Sequence, residues 1–159
     1  MDQDRSRTFK MFAWITASLL LTAEVVGAGP LGDAAKSGDA DLVVELLGQG
    51  VNVDEADNFG TALHWAAING HTEVVTLLAS GGADLGVKSE MLGTPLHAAA
   101  TRKKATAIAV LLEYGAEVDA LDKEDRTPLH IAVKNGDVVS VNLLIAAGAD
   151  VNFSRVGPG

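Results

Sequence analysis

An all-α solenoid, four stacked copies of one helix-turn-helix unit joined by hairpin-like loops, is the fold this sequence predicts, and three observations predict it. Thr61-Ala62-Leu63-His64, Thr94-Pro95-Leu96-His97 and Thr127-Pro128-Leu129-His130 repeat one phrase every 33 residues. Gly82-Ala83-Asp84, Gly115-Ala116-Glu117 and Gly148-Ala149-Asp150 recur at the same period. Between the two phrases run aliphatic residues at helical spacing, interrupted once by a glycine. A fixed period of this size means one supersecondary unit copied along the chain, each copy able to bury its apolar face only against a neighbour.

The first unit, about 29–60, is a degraded copy at an offset of 32: Gly29-Pro30-Leu31-Gly32 replaces the Thr and His, and Ala34-Ala35, Gly38, Leu42-Val43 and Leu46-Leu47 follow in order. A first unit has no upstream neighbour for those side chains to serve, so the loss fits a terminal cap. The second unit, about 61–93, carries Ala66-Ala67, Gly70 and the run Val74, Val75, Leu77, Leu78. In the third, about 94–126, Ala99-Ala100 is followed by Arg102-Lys103-Lys104, so Lys103 holds a place that glycine fills elsewhere. The fourth, about 127–159, has Gly136 and then Val141, Leu143, Leu144 and Ile145. The unit reads as turn, helix, Gly (Lys103 in the third copy), second helix, Gly and extended loop, with the second glycine suited to closing the helix in a left-handed conformation. A fifth phrase would begin at position 160, so the fourth unit is expected to cap the stack, with Ser140 and Asn142 among its aliphatics.

These segments closely resemble the ankyrin repeat over roughly 29–152, with several motifs matching in register in three copies. The resemblance implies a non-catalytic protein-binding module whose partner lies along a concave face. In it, Thr and Pro shape the entry into the first helix, and the tetrapeptide is scaffold.

Composition narrows the partners. The chain has 159 residues with 12 Lys+Arg against 21 Asp+Glu, a formal net charge of −9. Residues 1–28 hold three charges of each sign, so the acidity lies in the repeats. Nucleic acid is not expected, because phosphate binding needs a basic surface that releases counterions. Absence of cysteine excludes disulfides, thiolate metal sites and thiol nucleophiles.

Residues 1–28 read as a signal peptide. Arg5, Arg7 and Lys10 precede thirteen uncharged, mostly apolar residues, Met11 to Ala23, and Val26 and Ala28 suit the −3 and −1 positions of a cleavage site. The expected protein is therefore exported, periplasmic or secreted. The competing reading is an uncleaved N-terminal membrane anchor, although a spanning helix needs about 20 apolar residues and Glu24 interrupts this run.

No catalytic residue, cofactor site or metal site is expected. His64, His97 and His130 recur regularly, but equivalent positions in packed helices stand about 8–10 Å apart, too far for shared metal bonds of about 2 Å. They read as scaffold, as does His71. The carboxylates Asp54, Glu55, Asp57, Asp122, Glu124 and Asp125 fall in inter-repeat loops, where turn-forming, solvated acids are ordinary. Neither a nucleophile-elbow phrase nor a phosphate-binding Gly-rich loop occurs.

Partner-binding residues are expected on two strips. The first-helix strip offers Ile68, Asn69, Thr101, Arg102, Lys103, Lys134 and Asn135, with Lys36 and Ser37 in the first repeat. The tip strip offers Phe59 and Met91, apolar where such tips are usually polar. Two readings stay open for this pair, an interface anchor or packing against neighbouring hairpins; for Trp65 the core is the leading one. Arg102-Lys103-Lys104 is either a solvated turn or a contact for an acidic partner. Val138 and Val139, aligned with Thr72 and Glu73, leave an apolar patch at the open end that permits self-association, so the alternative function is a membrane-tethered or self-assembling scaffold.

Overall fold

The computed structural model describes residues 29–153; the expected signal segment and residues 154–159 lie outside the described residues. Among the described residues, eight helices form four antiparallel pairs: α1 (Gly29–Ser37) with α2 (Ala40–Gly48), α3 (Ala62–Asn69) with α4 (Thr72–Ser80), α5 (Pro95–Thr101) with α6 (Ala105–Glu113), and α7 (Pro128–Lys134) with α8 (Val138–Ala146). First helices stack in one row, α1–α3–α5–α7, and second helices in another, α2–α4–α6–α8. None among the described residues is long and apolar enough to cross a membrane. Hairpin-like loops join the pairs, pinned by isolated bridges between Ala56 and Thr61 and between Ser89 and Gly93.

Residue size explains the close stacking. Ala34-Ala35, Ala66-Ala67, Ala99-Ala100 and Ala132 are buried along the first-helix row, where small side chains let backbones approach. Leu31, Leu63, Leu96 and Leu129 fill the space beside them, and Val43, Val75, Ile108, Leu111 and Leu144 close the second layer. Helices of seven to nine residues are too short to persist alone in water, so their stability comes from this shared core.

Loop carboxylates are more than the solvated turn formers that the sequence suggests. Asp54 Oδ1 accepts from the Asp84 N–H of the next repeat at 2.9 Å, and both Asp119 oxygens accept from the Asp150 N–H at 3.1 Å. In the same register the second repeat carries Gly86, so the junction between repeats two and three has no such clamp. Asp122 is buried and organises the third tip: its Oδ1 accepts from the Glu124 and Arg126 N–H groups at 2.9 Å, and Arg126 Nε donates to Oδ2 at 2.8 Å. Burial pushes this carboxyl up, but the bonds from Arg126 and the backbone outweigh it and hold it below its ordinary range.

The turn between first and second helix needs a left-handed residue in every repeat. Gly38, Gly70 and Gly136 occupy it with φ of 80°, 78° and 63°, and in the third repeat Lys103 does so with φ 56°. At two of these glycines a Cβ would also crowd a neighbouring side chain, standing 2.6 Å from the His71 ring at Gly38 and 2.7 Å from the flexible Lys104 stem at Gly70. Lys103 has a Cβ in a conformation that costs a non-glycine residue about 1 kcal/mol. Lys103→Gly is therefore expected to stabilise the protein by about 1 kcal/mol, seen as a higher urea midpoint at unchanged slope; a lower midpoint would mean that the lysine side chain holds the turn.

The open end differs from expectation. Ser140 is fully buried, and its hydroxyl bonds to Asp137 within the same helix start, so it does not face solvent as a capping residue. Val133 stands where Ala67 and Ala100 are covered by the next repeat, and it is 60% exposed. Val138 and Val151 are exposed to 68% and 62%. Together with Leu129, His130 and Phe153, Val133 and Val151 line a shallow pocket of about 210 Å³.

Candidate functional site

The recurring histidines are joints between repeats. The Thr61 N–H donates to His64 Nδ1 at 3.1 Å and the Thr61 hydroxyl lies 3.0 Å from the same nitrogen. An Nδ1 that accepts from an N–H carries no proton, which fixes the neutral tautomer with the proton on Nε2. That Nε2–H donates to the Gly93 carbonyl, in the following hairpin, at 2.9 Å. His97 repeats the arrangement, with Thr94 N–H on Nδ1 at 3.2 Å and Nε2–H on the Arg126 carbonyl at 2.8 Å. His130 keeps its bond with Thr127 and rests edge-on against Phe153. The rings serve neighbouring loops, and among the described residues no three potential metal ligands converge. His71 reaches back across the preceding repeat, its Nε2 lying 3.2 Å from the Lys36 carbonyl.

An apolar cluster forms where the first two hairpin tips meet the first-helix row. Asp57 builds it: Oδ1 accepts from the Phe59 and Gly60 N–H groups at 2.7 Å, while Oδ2 accepts from Trp65 Nε1–H at 3.1 Å. One carboxylate thus fixes both the tip and the indole. The Phe59 ring packs edge-on against Trp65 with centroids 6.2 Å apart, and Lys36 Nζ lies 4.5 Å from the indole centroid. Ser89 ties the second tip to the first by donating to the Phe59 carbonyl, and its oxygen accepts from Met91 N–H at 3.2 Å. Phe59 remains 46% exposed and Met91 65% exposed. Trp65 is half-buried, packed against the core on one side and carrying Phe59 and Lys36 on the other. Ile68, one turn further along α3, is half-buried beside it.

The remaining strip residues divide by what their side chains do. Asn69 Nδ2 donates to the Lys36 carbonyl at 3.2 Å, and Asn135 Nδ2 to the Ala100 and Thr101 carbonyls at 3.2 and 3.3 Å. These amides serve the free carbonyls at the C-terminus of the preceding first helix, the groups a helix end leaves unpaired. Thr101 returns its hydroxyl to the His97 carbonyl at 2.9 Å. Arg102, Lys103 and Lys134 are exposed. Sequence reasoning missed the Asp57–Trp65 bond and the stacking of Lys36 on Trp65; the one available signal was a tryptophan at a position filled by Ala98 and Ile131 in later repeats.

Paired helices stacked in two rows with hairpins at one edge define a helical-repeat solenoid. The family model for ankyrin repeats, which describes three copies, matches residues 31–118 and again 81–155, and the chain belongs to the ankyrin repeat family. No curated protein matches the chain. Ankyrin repeats are generally protein–protein interaction modules, typically without catalysis.

Burial lowers the pKa of His64 and His97, with the carbonyl bonds from Gly93 and Arg126 acting against it. Above the ordinary imidazole value of about 6.5, both native and unfolded rings are neutral. As pH falls below it, the unfolded rings take up protons that the native rings resist, so stability is lost on acidification. Urea denaturation near pH 7.5 and pH 5 is expected to show the lower midpoint at pH 5, with the difference shrinking in His64→Gln/His97→Gln.

Proposed function

We propose that the protein is an exported, non-catalytic binding module that holds a protein partner on its concave face, anchored on the apolar cluster at the first two tips. The observation that carries this reading is the exposure of Phe59, packed edge-on against Trp65, and of Met91 on the neighbouring tip that Ser89 ties to it. Asp57 and Ser89 hold the two tips in place by hydrogen bonds. A pre-set aromatic anchor costs little ordering on binding, and interfaces concentrate their energy in such residues. The partner's matching feature is an apolar side chain able to pack on the exposed faces of Phe59 and Met91. Export rests on the signal-peptide pattern of residues 1–28, and the partner then shares that compartment.

Phe59→Ala with Met91→Ala is expected to weaken partner capture by about 30-fold or more, equivalent to about 2 kcal/mol, while the melting temperature changes by no more than about 3 °C. Pull-down from the extracytoplasmic fraction, scored for proteins retained by the native chain and lost by the variant, measures the first; a large melting shift would place the pair in the core instead. N-terminal sequencing of the secreted or periplasmic form is expected to begin at Gly29.

The exposed valines at the open end favour a second reading, self-assembly. Under it, light scattering of the native protein shows concentration-dependent association that Val138→Glu with Val151→Glu abolishes; a single monomeric species at all concentrations rejects it.

A further inference from the structure

Cations of this acidic protein collect on the edge where first helices turn into second helices. Lys36 and Lys134 end α1 and α7, Arg102 caps the C-terminus of α5, and Lys103 and Lys104 follow it. The turns are contiguous: Asn135 bonds the last carbonyls of α5, and the Lys104 stem lies across Gly70 of the repeat before. Both ion pairs among the described residues belong to Arg126, on the third tip. None of the five edge cations is paired within them.

Acids on this edge thin out toward the third repeat. Asp39 and Asp137 cap their second helices, accepting from Leu42 N–H at 3.0 Å and Ser140 N–H at 3.4 Å. Glu73 sits in the first turn of α4 and Asp41 in that of α2, but α6 and α8 have no acid in their first turns. From Thr101 to Thr106 the third repeat carries three cations and no acid.

Local stability accounts for some of these residues and not others. Cations at Lys36, Arg102 and Lys134 complement the negative ends of their helices. Lys103 and Lys104 oppose local physics. Lys103 takes a left-handed conformation that suits glycine. Lys104 occupies the position that Asp39 and Asp137 fill in repeats one and four, reversing the charge at the positive end of α6. The Lys104 stem packs over Gly70, but its charge and the Lys103 backbone still break local rules, and such departures point to function.

We propose that this edge, Lys36, Arg102, Lys103, Lys104 and Lys134, docks an acidic, extended segment of the partner protein. Three repeat intervals of about 10 Å each give an edge of about 30 Å, which an extended chain covers in about nine residues. Lys36, on the face of Trp65, joins the edge to the apolar anchor, so the preferred segment has an apolar residue next to its acidic run. The inference rests on the protein-binding reading above and adds the charge of the partner.

The probe is a fluorescein-labelled nine-residue oligoglutamate, titrated with the full chain by anisotropy. Binding is expected at about 50 mM NaCl, weakened about tenfold at about 200 mM as screening sets in. The variant Arg102→Ser/Lys103→Gly/Lys104→Ser is expected to lose about tenfold in affinity, whereas Lys123→Ser, on the third tip, keeps it. Circular dichroism of the triple variant confirms the fold. No binding at low salt, equal binding by the triple variant, or equal or stronger capture of the chain by phosphatidylserine vesicles would overturn the proposal. Phe59→Ala/Met91→Ala separates the two readings: partner capture lost there but unchanged in the triple variant leaves the apolar anchor standing and removes the acidic segment.

Discussion

Repeats two and three each depend on the following hairpin through a neutral imidazole. Thr61 and Thr94 hold His64 and His97 by their Nδ1 atoms, and each Nε2–H reaches the carbonyl of the following hairpin. Because the ring is fixed at both nitrogens, it sets the distance from helix start to hairpin as well as satisfying two buried polar groups. The alanine rows can pack closely only when that distance is constant. The apolar core and the polar joints therefore impose the same spacing, and a one-dimensional stack with nearest-neighbour coupling results.

Coupling is not equal along the stack. At the first and third junctions a carboxylate, Asp54 or Asp119, adds a bond to the backbone of the next repeat, while Gly86 leaves the second junction without one. The same middle region carries the strained Lys103. Against this, the Ser89 hydroxyl ties tip two to tip one, so the surface holding Phe59 and Met91 is firm where the anchor sits. The added inter-repeat bonds thus lie at the first and third junctions and between the first two tips, and positive charge lies at the turn edge of repeats three and four.

Much of the architecture was legible because it is periodic. The repeated phrase, the alanine pairs and the turn glycines predict helix order, turn position and the buried row from spacing alone. Lys103 stood out for the same reason, as a register break whose positive φ then followed. What the sequence hid were contacts made by loop side chains. Asp54, Asp57, Asp119 and Asp122 look alike as acids in polar loops, yet each meets a particular N–H group that only the folded path brings near. Asn69 and Asn135 stand on the strip where the sequence predicts partner-binding residues, and what it hid is that their amides reach the carbonyl ends of the preceding helices. Ser140 shows the converse, a polar residue that looked like a cap and is buried.

Two kinds of departure from the repeat pattern have different physical meanings. Departures at the ends remove a joint: Gly29 and Gly32 stand in the Thr and His positions, and because His64 and His97 serve the hairpin that follows them rather than an earlier repeat, the want of an upstream neighbour that the sequence suggests does not account for the loss. Departures in the middle add groups that the fold does not need. Trp65 replaces a small or aliphatic residue and then requires Asp57 to satisfy its N–H, and Lys104 puts a cation where two other repeats place an acid. Trp65 packs one side against the core and carries Phe59 and Lys36 on the other, so part of its value lies in what it presents to solvent. On this argument the anchor around Trp65 and the basic turn of repeat three are two parts of one recognition surface, the first supplying apolar contact and the second sign-selective attraction.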